Sequence, residues 1–375
     1  MSQSRICFVL PSLNGGGAER AAVHILNGLS PERWQRSMFL FSRTGPYLDE
    51  VDPSIQLESA AGQSRLAQWR ALRAFVARTR PQVVVSFLSY FSVLTAVRAA
   101  AVGARVVFNQ QTPMSAFLAD GDYPWRRGWR RTVFNVATRR GYAAADLIVT
   151  TSQGVADDLV TAFGVRRNHI AVVPNPVDLD AVRECARESL DPAFERAWQG
   201  PVIVAAGRLA EAKNYPLLID AMAVLRKSID ARLFILGSGD EEAAIRTRIR
   251  ERGLEYAITL CGFQKNPWKY IARADVFALS SHYEGFGNVL IEAMACGVPV
   301  VATVSAGTRD IVHDGVDGIL VERHQPEAFA AALAAVLGDP HRRKSMAAAA
   351  LESAPRFALP RIAQIYDETF QGVMA

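Results

Sequence analysis

The sequence predicts an α/β protein made of two doubly wound, largely parallel sheets. Three observations point there. The chain has 375 residues, beyond the size at which one hydrophobic core usually stops growing. Short apolar runs alternate with longer helical patterns, as in strand–helix–strand units. The alternation pauses once near the middle and then resumes.

The first series opens with RICFVLP (5–11), an unbroken apolar run that suits a strand covered on both faces. GAERAAVHILNGL (17–29) reads as the helix that follows. Further strands are expected at 37–42, 82–88, 104–110, 145–152 and 169–175. The polar stretch 174–200, with Pro174 and Pro176 at its start, reads as an inter-domain connection. The second series gives strands at 201–207, 231–237, 257–263, 275–280, 299–304 and 318–322. Helices fit at 214–227, 240–252, 288–296 and 326–338, with one more at 360–372. Two facing domains of this kind would enclose a central cleft, and ligands would meet the carboxyl ends of the strands.

Composition narrows the function classes. A 50% hydrophobic and 21% charged chain is expected to be ordered. The net charge of +5 is uneven: residues 1–180 hold 20 Arg, no Lys and 13 acids. That excess would suit a membrane surface, a phosphorylated substrate or nucleic acid. No zinc-finger spacing, RNA-binding aromatic motif or dense basic tail supports nucleic acid. Cys7, Cys185, Cys261 and Cys296 form no CxxC pair and read as reduced thiols. The first apolar run is too short for a secretory signal and is broken by Pro11, and no uncharged run reaches 18 residues. The expected location is the cytoplasm.

Three segments could carry chemistry. Asn14-Gly15-Gly16-Gly17 lies between a strand and a helix, where backbone amides could meet a phosphate; it is equally a flexible turn. In AAGRLAEAKNYPLLIDAM, Arg208 follows a strand and Lys213 precedes a helix. Two cations at a sheet rim match a diphosphate, or are solvated loop charges. In SSHYEGFGNVLIEAMACGVPVVAT, Glu284 is followed after seven residues by Glu292. Asn288 is placed to cap the next helix, which would put Glu292 on a buried surface. A buried carboxylate needs donors. Sugar hydroxyls would serve, as would a salt bridge to Arg208 or Lys213. The amides of Phe286 to Asn288 at the helix start would suit a phosphate.

With these residues in order, and with PSLNGGGAER, VVPNPVD and RDIVHDGVDGILV around them, the chain resembles the retaining GT-B glycosyltransferases with an E-x7-E motif (glycosyltransferase family 4, glycosyl transferases group 1). The resemblance covers nearly the whole chain, and the E-x7-E block is its most specific part. It implies an acceptor-side domain over 1–180, a nucleotide-sugar domain over 181–358, and a helix over 359–375 that crosses back to the first domain. It implies that Arg208 and Lys213 grip the donor diphosphate, that Glu284 binds a hydroxyl of the transferred sugar, and that Glu292 holds the ribose. Phe286, Gly287 and Asn288 would contact sugar and phosphate through their amides. Gly16 and Gly17 would close over the phosphates, and the main chain of Gly262 and Phe263 would approach the base. The implied reaction transfers a hexose or N-acetylhexosamine with retention, giving an α-glycoside. The donor would be a nucleoside-diphosphate sugar, UDP favoured over GDP, and no other cofactor is required.

One departure stands out. Many relatives place a histidine after a first-domain strand, whereas this chain reads VVFNQQTPMS there. Asn109 or Gln110 would have to position hydroxyls instead. Asp120 and Asp122 form a DxD pattern in an acceptor-side segment and read as a surface loop, so no metal is expected. Residues 123–142, YPWRRGWRRTVFNVATRRGY, hold six Arg and no acid. On a helix, Trp125, Trp129, Val133 and Val136 would share a stripe flanked by arginines. That suits an interfacial helix at the cytoplasmic face of the inner membrane and a lipid-linked or glycan acceptor. It equally suits tryptophans in the core with arginines in water. A small soluble acceptor and a non-catalytic scaffold are the rival readings.

Overall fold

The computed structural model describes residues 3–375 except 15, 61–63, 88–96, 98, 99, 120–128 and 323–324. The chain forms two units. One comprises Met1–Val177 with Leu359–Ala375, the other Asp178–Ala358.

The first unit holds a seven-stranded sheet. Its strands are β1 (Ser4–Leu10), β2 (Trp34–Leu40), β3 (Gln56–Ser59), β4 (Val83–Ser86), β5 (Arg105–Gln110), β6 (Leu147–Thr150) and β7 (Ile170–Val172). They lie in the order β3-β2-β1-β4-β5-β6-β7, and every pair is parallel. Period-two alternation divides β1 between two cores. Ile6, Phe8 and Leu10 pack with Ala22, Ile25 and Leu26 of the helix Gly17–Gly28, and with Ile362, Tyr366 and Phe370 of the helix Leu359–Met374. Cys7 and Val9 face the other way, toward Leu72 and Phe75 of the helix Arg65–Thr79 and Leu159 of the helix Gln153–Phe163. The helix 359–374 is held further by Asp367, which accepts from the Arg33 guanidinium at 2.7 Å and from the Trp34 indole. Part of the first-half positive charge is structural. Arg36 is buried and donates to the carbonyls of Leu26, Asn27 and Leu29, which lack helical partners at the end of the first helix.

The second unit holds a six-stranded parallel sheet of β8 (Val202–Ala206), β9 (Arg232–Leu236), β10 (Ile258–Gly262), β11 (Val276–Leu279), β12 (Val300–Thr303) and β13 (Gly318–Val321). Its order is β10-β9-β8-β11-β12-β13. One face packs Ile203, Leu233 and Ile235 against Leu218 and Met222 of the helix Tyr215–Leu225 and Phe329 and Leu333 of the helix Pro326–Leu337. Both sheets therefore carry the Rossmann strand order, with a switch point between β1 and β4 and between β8 and β11.

Two details add to the expectations. The division between the units falls within 174–200, after Val177, and the rest of that stretch contains the helices Leu179–Cys185 and Pro192–Ala197 of the second unit. Leu179 and Val182 are buried, so the apolar positions there are few but used. Strand β3 lies in a segment with no apolar run; it pairs on one side only, with β2.

Candidate functional site

The second unit's switch point gathers the charged residues. β8 and β11 are hydrogen-bonded neighbours where the strand order reverses, the place at which sheets of this order receive ligands at the strands' carboxyl ends. The chain leaving β8 carries Arg208 and Lys213; the chain leaving β11 carries Glu284. Lys213 ends a 3-10 turn (Glu211–Lys213), and Asn214 takes a left-handed conformation (φ 46°) to start the next helix. The two loops are stitched together. His282 N–H donates to the Ala212 carbonyl at 2.8 Å, and Ser280 Oγ donates to the Lys213 carbonyl at 2.9 Å.

Within this frame Lys213 Nζ lies 2.5 Å from Glu284 Oε1, which also accepts from Ser281 Oγ at 2.6 Å. The two side chains keep 24% and 12% of their exposure, so the ion pair is shielded but reachable. Arg208 is exposed, and among the described residues its guanidinium has no hydrogen-bond partner. Tyr215 donates to the Gly207 carbonyl at 3.2 Å, and burial together with the Glu284 charge raises its phenol pKa. A cation, a free guanidinium and a carboxylate on one rim can hold a diphosphate and accept from a hydroxyl beside it.

Glu292 lies in the helix Asn288–Ala295 and is 4% exposed. Its Oε2 accepts from the Trp268 indole at 2.8 Å. Cys296, one turn on, has its thiol pushed up to about 12 by burial and the Glu292 charge. Gly287, at φ 106°, is the residue before that helix, so Asn288 is the first helical residue rather than the side-chain cap expected from the sequence. Only glycine enters that left-handed geometry without strain. The Phe286 side chain is buried edge-to-face on Phe357 at 5.5 Å, which leaves only its backbone for a ligand. Gly262 has φ 68° and space beyond its Cα, and Phe263 beside it is 69% exposed.

Sequence reasoning missed the glycines that let the loops close. A Cβ on Gly237 would sit 1.9 Å from the Gly207 carbonyl oxygen, and one on Gly239 would sit 2.3 Å from that of Leu209. A Cβ on Gly307 would meet the Phe286 backbone at 2.3 Å, where Gly307 N–H donates to the Glu284 carbonyl at 3.0 Å. Their position just after strands β9 and β12 was the available signal. Ser280 and Ser281 were missed as well.

Gly16 and Gly17 belong to the first unit. Gly16 precedes the helix Gly17–Gly28, and the Glu19 carboxylate crowds the place where a Gly16 side chain would start. The amides proposed to position hydroxyls are spent internally. Asn109 donates to Tyr366 Oη at 3.0 Å and accepts from Gln111 at 2.5 Å. Gln110 donates to the Thr112 carbonyl at 2.6 Å and accepts from Tyr142 at 3.0 Å. Gln111 and Asn175 exchange amide hydrogen bonds at 2.8 and 3.1 Å. Asp120, Asp122 and residues 123–128 lie outside the described residues. The remainder of that basic segment is in the helix Trp129–Ala143, where Val133 and Val136 are 56% and 42% exposed. Among the described residues no helix is long and apolar enough to cross a membrane, and no cluster of three metal-ligating side chains occurs.

Comparison with known proteins follows the same division. Residues 15–181 match the model of Glycosyltransferase Family 4, and residues 187–353 match that of Glycosyl transferases group 1. The chain is 36% identical, over 60% of its length and 59% of the relative's, to N-acetylgalactosamine-N,N'-diacetylbacillosaminyl-diphospho-undecaprenol 4-alpha-N-acetylgalactosaminyltransferase of Campylobacter jejuni. It is 35% identical, over 65% of its length and 60% of the relative's, to D-inositol 3-phosphate glycosyltransferase of Xylanimonas cellulosilytica. The chain thus spans about three fifths of the length of these curated relatives. The crystal structure of HepE from Anabaena in complex with UDP superposes with a TM-score of 0.81 at 22% identity, covering 98% of this chain and 100% of that one. With two Rossmann-like units and both family models matched in order, the chain belongs to the glycosyl transferases group 1 family and has the GT-B fold.

Proposed function

We propose that this chain is a retaining glycosyltransferase that moves a hexose or N-acetylhexosamine from a nucleoside-diphosphate sugar to a lipid-linked or polysaccharide-precursor acceptor. The observation that supports it most is the Lys213–Glu284 pair at a Rossmann switch point beside the exposed Arg208. Arg208 and Lys213 take the diphosphate and stabilise the charge that grows as the anomeric C–O bond breaks. Glu284 accepts from a hydroxyl of the transferred sugar, Glu292 from the ribose. Amides of Phe286, Gly287 and Asn288 meet the sugar and the phosphate, and Gly262 and Phe263 flank the base. The acceptor oxygen bonds to the anomeric carbon on the face the leaving group vacates. Its proton passes to a phosphate oxygen of the departing nucleoside diphosphate. The product is an α-glycoside. UDP is favoured as the nucleotide, in keeping with the UDP-bound HepE structure.

The acceptor reading draws on the diphospho-undecaprenol in the name of the Campylobacter relative and on the arginine-rich segment 123–142. That segment would meet the cytoplasmic face of the inner membrane. The likeness to D-inositol 3-phosphate glycosyltransferase favours a second reading, a small soluble acceptor.

The test is a panel of UDP- and GDP-sugars scored by protection against thermal unfolding. A ligand at a hundredfold its Kd should add about 2.7 kcal/mol. The protecting donor is then offered undecaprenyl-linked sugars in vesicles and inositol phosphate in solution, with product configuration read by NMR. Protection by no donor rejects the site, and a β-linked product rejects retention. Transfer to inositol phosphate alone selects the soluble acceptor.

A further inference from the structure

We infer that Ser281 is a positioning residue for recognition of the transferred sugar: its buried hydroxyl holds Glu284 by Oε1, so that Oε2 stays available to a sugar hydroxyl while Lys213 serves the diphosphate. This deepens the proposed donor site and rests on that reading.

Two donors converge on one carboxylate oxygen. Lys213 Nζ and Ser281 Oγ both meet Glu284 Oε1, at 2.5 and 2.6 Å, and among the described residues nothing donates to Oε2. Tyr215 is close enough for the Glu284 charge to raise its phenol pKa, yet its hydroxyl donates to the Gly207 carbonyl at 3.2 Å. The Glu284 side chain is mostly enclosed but reachable. An ionised oxygen with its lone pairs open is a strong acceptor for a hydroxyl. The two donors on Oε1 are not equivalent. Lys213 carries an ammonium on a flexible four-carbon stem. A bound diphosphate competes for that charge, and the bond to Glu284 weakens as it does. Ser281 has a single rotatable bond to its hydroxyl and is wholly buried. Its hydroxyl is neutral, so it fixes the carboxylate and leaves the negative charge in place.

The serine is itself held. Thr303, at the end of β12 and 1% exposed, donates through Oγ1 to the Ser281 carbonyl at 2.6 Å. The Thr303 carbonyl in turn accepts from Thr308 Oγ1 at 2.9 Å. On the other side, Ser280 Oγ and His282 N–H donate to the carbonyls of Lys213 and Ala212. The Glu284 carbonyl accepts from Gly307 N–H at 3.0 Å. The loop after β11 is therefore tied to the segments that follow β8 and β12. Ser281 sits at the middle of those ties, three residues before the carboxylate it holds. When the ammonium turns to phosphate, this frame keeps Glu284 in place.

The test uses the full chain and whichever of UDP-glucose, UDP-N-acetylglucosamine and GDP-mannose binds best, compared with its bare nucleoside diphosphate by calorimetry. Ser281→Ala removes the hydroxyl and little else. It should weaken the sugar nucleotide roughly tenfold and the bare nucleotide less than about twofold, since one hydrogen bond to a charged group is at stake. Thr303→Val keeps the shape of the side chain and frees the Ser281 carbonyl. It should show the same split at smaller size, and it carries the test if Ser281→Ala does not fold. Equal weakening of both ligands, or of neither, overturns the inference. Glu284→Gln separates the two levels. If it leaves the sugar nucleotide unchanged relative to the bare nucleotide, the assignment of Glu284 fails and the inference with it, as both do if none of the three sugar nucleotides binds. If Glu284→Gln shows the split while Ser281→Ala and Thr303→Val do not, only the positioning role falls.

Discussion

The carboxyl ends of the two sheets have opposite polar economies. In the second unit, Lys213 and Glu284 keep part of their surface open and Arg208 is exposed, so formal charges stand at the rim. In the first unit, the end of β5 carries only neutral groups. Asn109, Gln110, Gln111, Asn175, Tyr142 and Tyr366 donate to and accept from one another. Asn109 and Gln110 are each 2% exposed. The same strand order thus supports a rim that can exchange its contacts for a ligand and a rim that has already spent them on cohesion. Polar residues at a strand end are not equivalent evidence of a binding site; what matters is whether their valences are free.

The largest effect should come from removing the central cation. Lys213→Met should lower turnover by about 10²–10³-fold, the cost typical of losing one preorganised charge-stabilising donor. Initial rates at saturating donor read this directly, and a loss under fivefold would erase the contrast. Next, Glu292→Ala should weaken both UDP and UDP-sugar by roughly tenfold or more, whereas Glu284→Ala should weaken the sugar nucleotide and leave bare UDP nearly untouched. Titration calorimetry on the two ligands separates these outcomes; identical profiles for the two variants would remove the division of labour.

The first-unit rim should answer in stability instead. Asn109→Ala removes one partner from Tyr366 Oη, which keeps the Val173 carbonyl at 3.5 Å, and one from Gln111, which keeps Asn175; the expected cost is about 1 kcal/mol in urea unfolding, with UDP affinity unchanged within twofold. A matching loss of UDP affinity would show that this network also serves the ligand. The smallest effect concerns two thiols, one in each sheet. Burial pushes Cys7 and Cys261 up to about 12, with Ser37 partly offsetting the rise at Cys7. Raised values keep both protonated at pH 8, so iodoacetamide labelling should be slow there and still rising at pH 10. Cys261, partly exposed, should label before the fully buried Cys7. Rapid labelling of either at pH 8 would contradict the burial.

Among the described residues, twelve of the thirteen strands were legible as apolar runs, because a parallel sheet covered on both faces leaves little room for polar residues. Strand β3 escaped because its sequence, QLES, has one apolar residue and a single strand neighbour. The charged residues at the carboxyl end of the second sheet were legible by type and position, but their partners were not. Lys213 meets Glu284 across 71 residues and Glu292 meets Trp268 across 24, contacts made by strand order rather than spacing. Asn288 looked like a cap because its residue type favours that role, yet Gly287 in a left-handed conformation takes the position. Asn109 and Gln110 looked available because a sequence shows which groups can hydrogen-bond, and only packing shows which already do.

The assignment of the helix Leu359–Met374 to the first unit has a consequence for biogenesis. Residues 178–358 are, in connectivity, an insertion into the first fold, with the Leu359 amide bonded to the Val177 carbonyl at 3.0 Å where the path returns. Ile362, Tyr366 and Phe370 complete a core begun by Ile6 and Phe8. On the ribosome, residues 178–358 are complete before the first unit can close its core with the helix Leu359–Met374. The emerging chain must keep an unfinished apolar face from aggregating through the synthesis of an entire second domain.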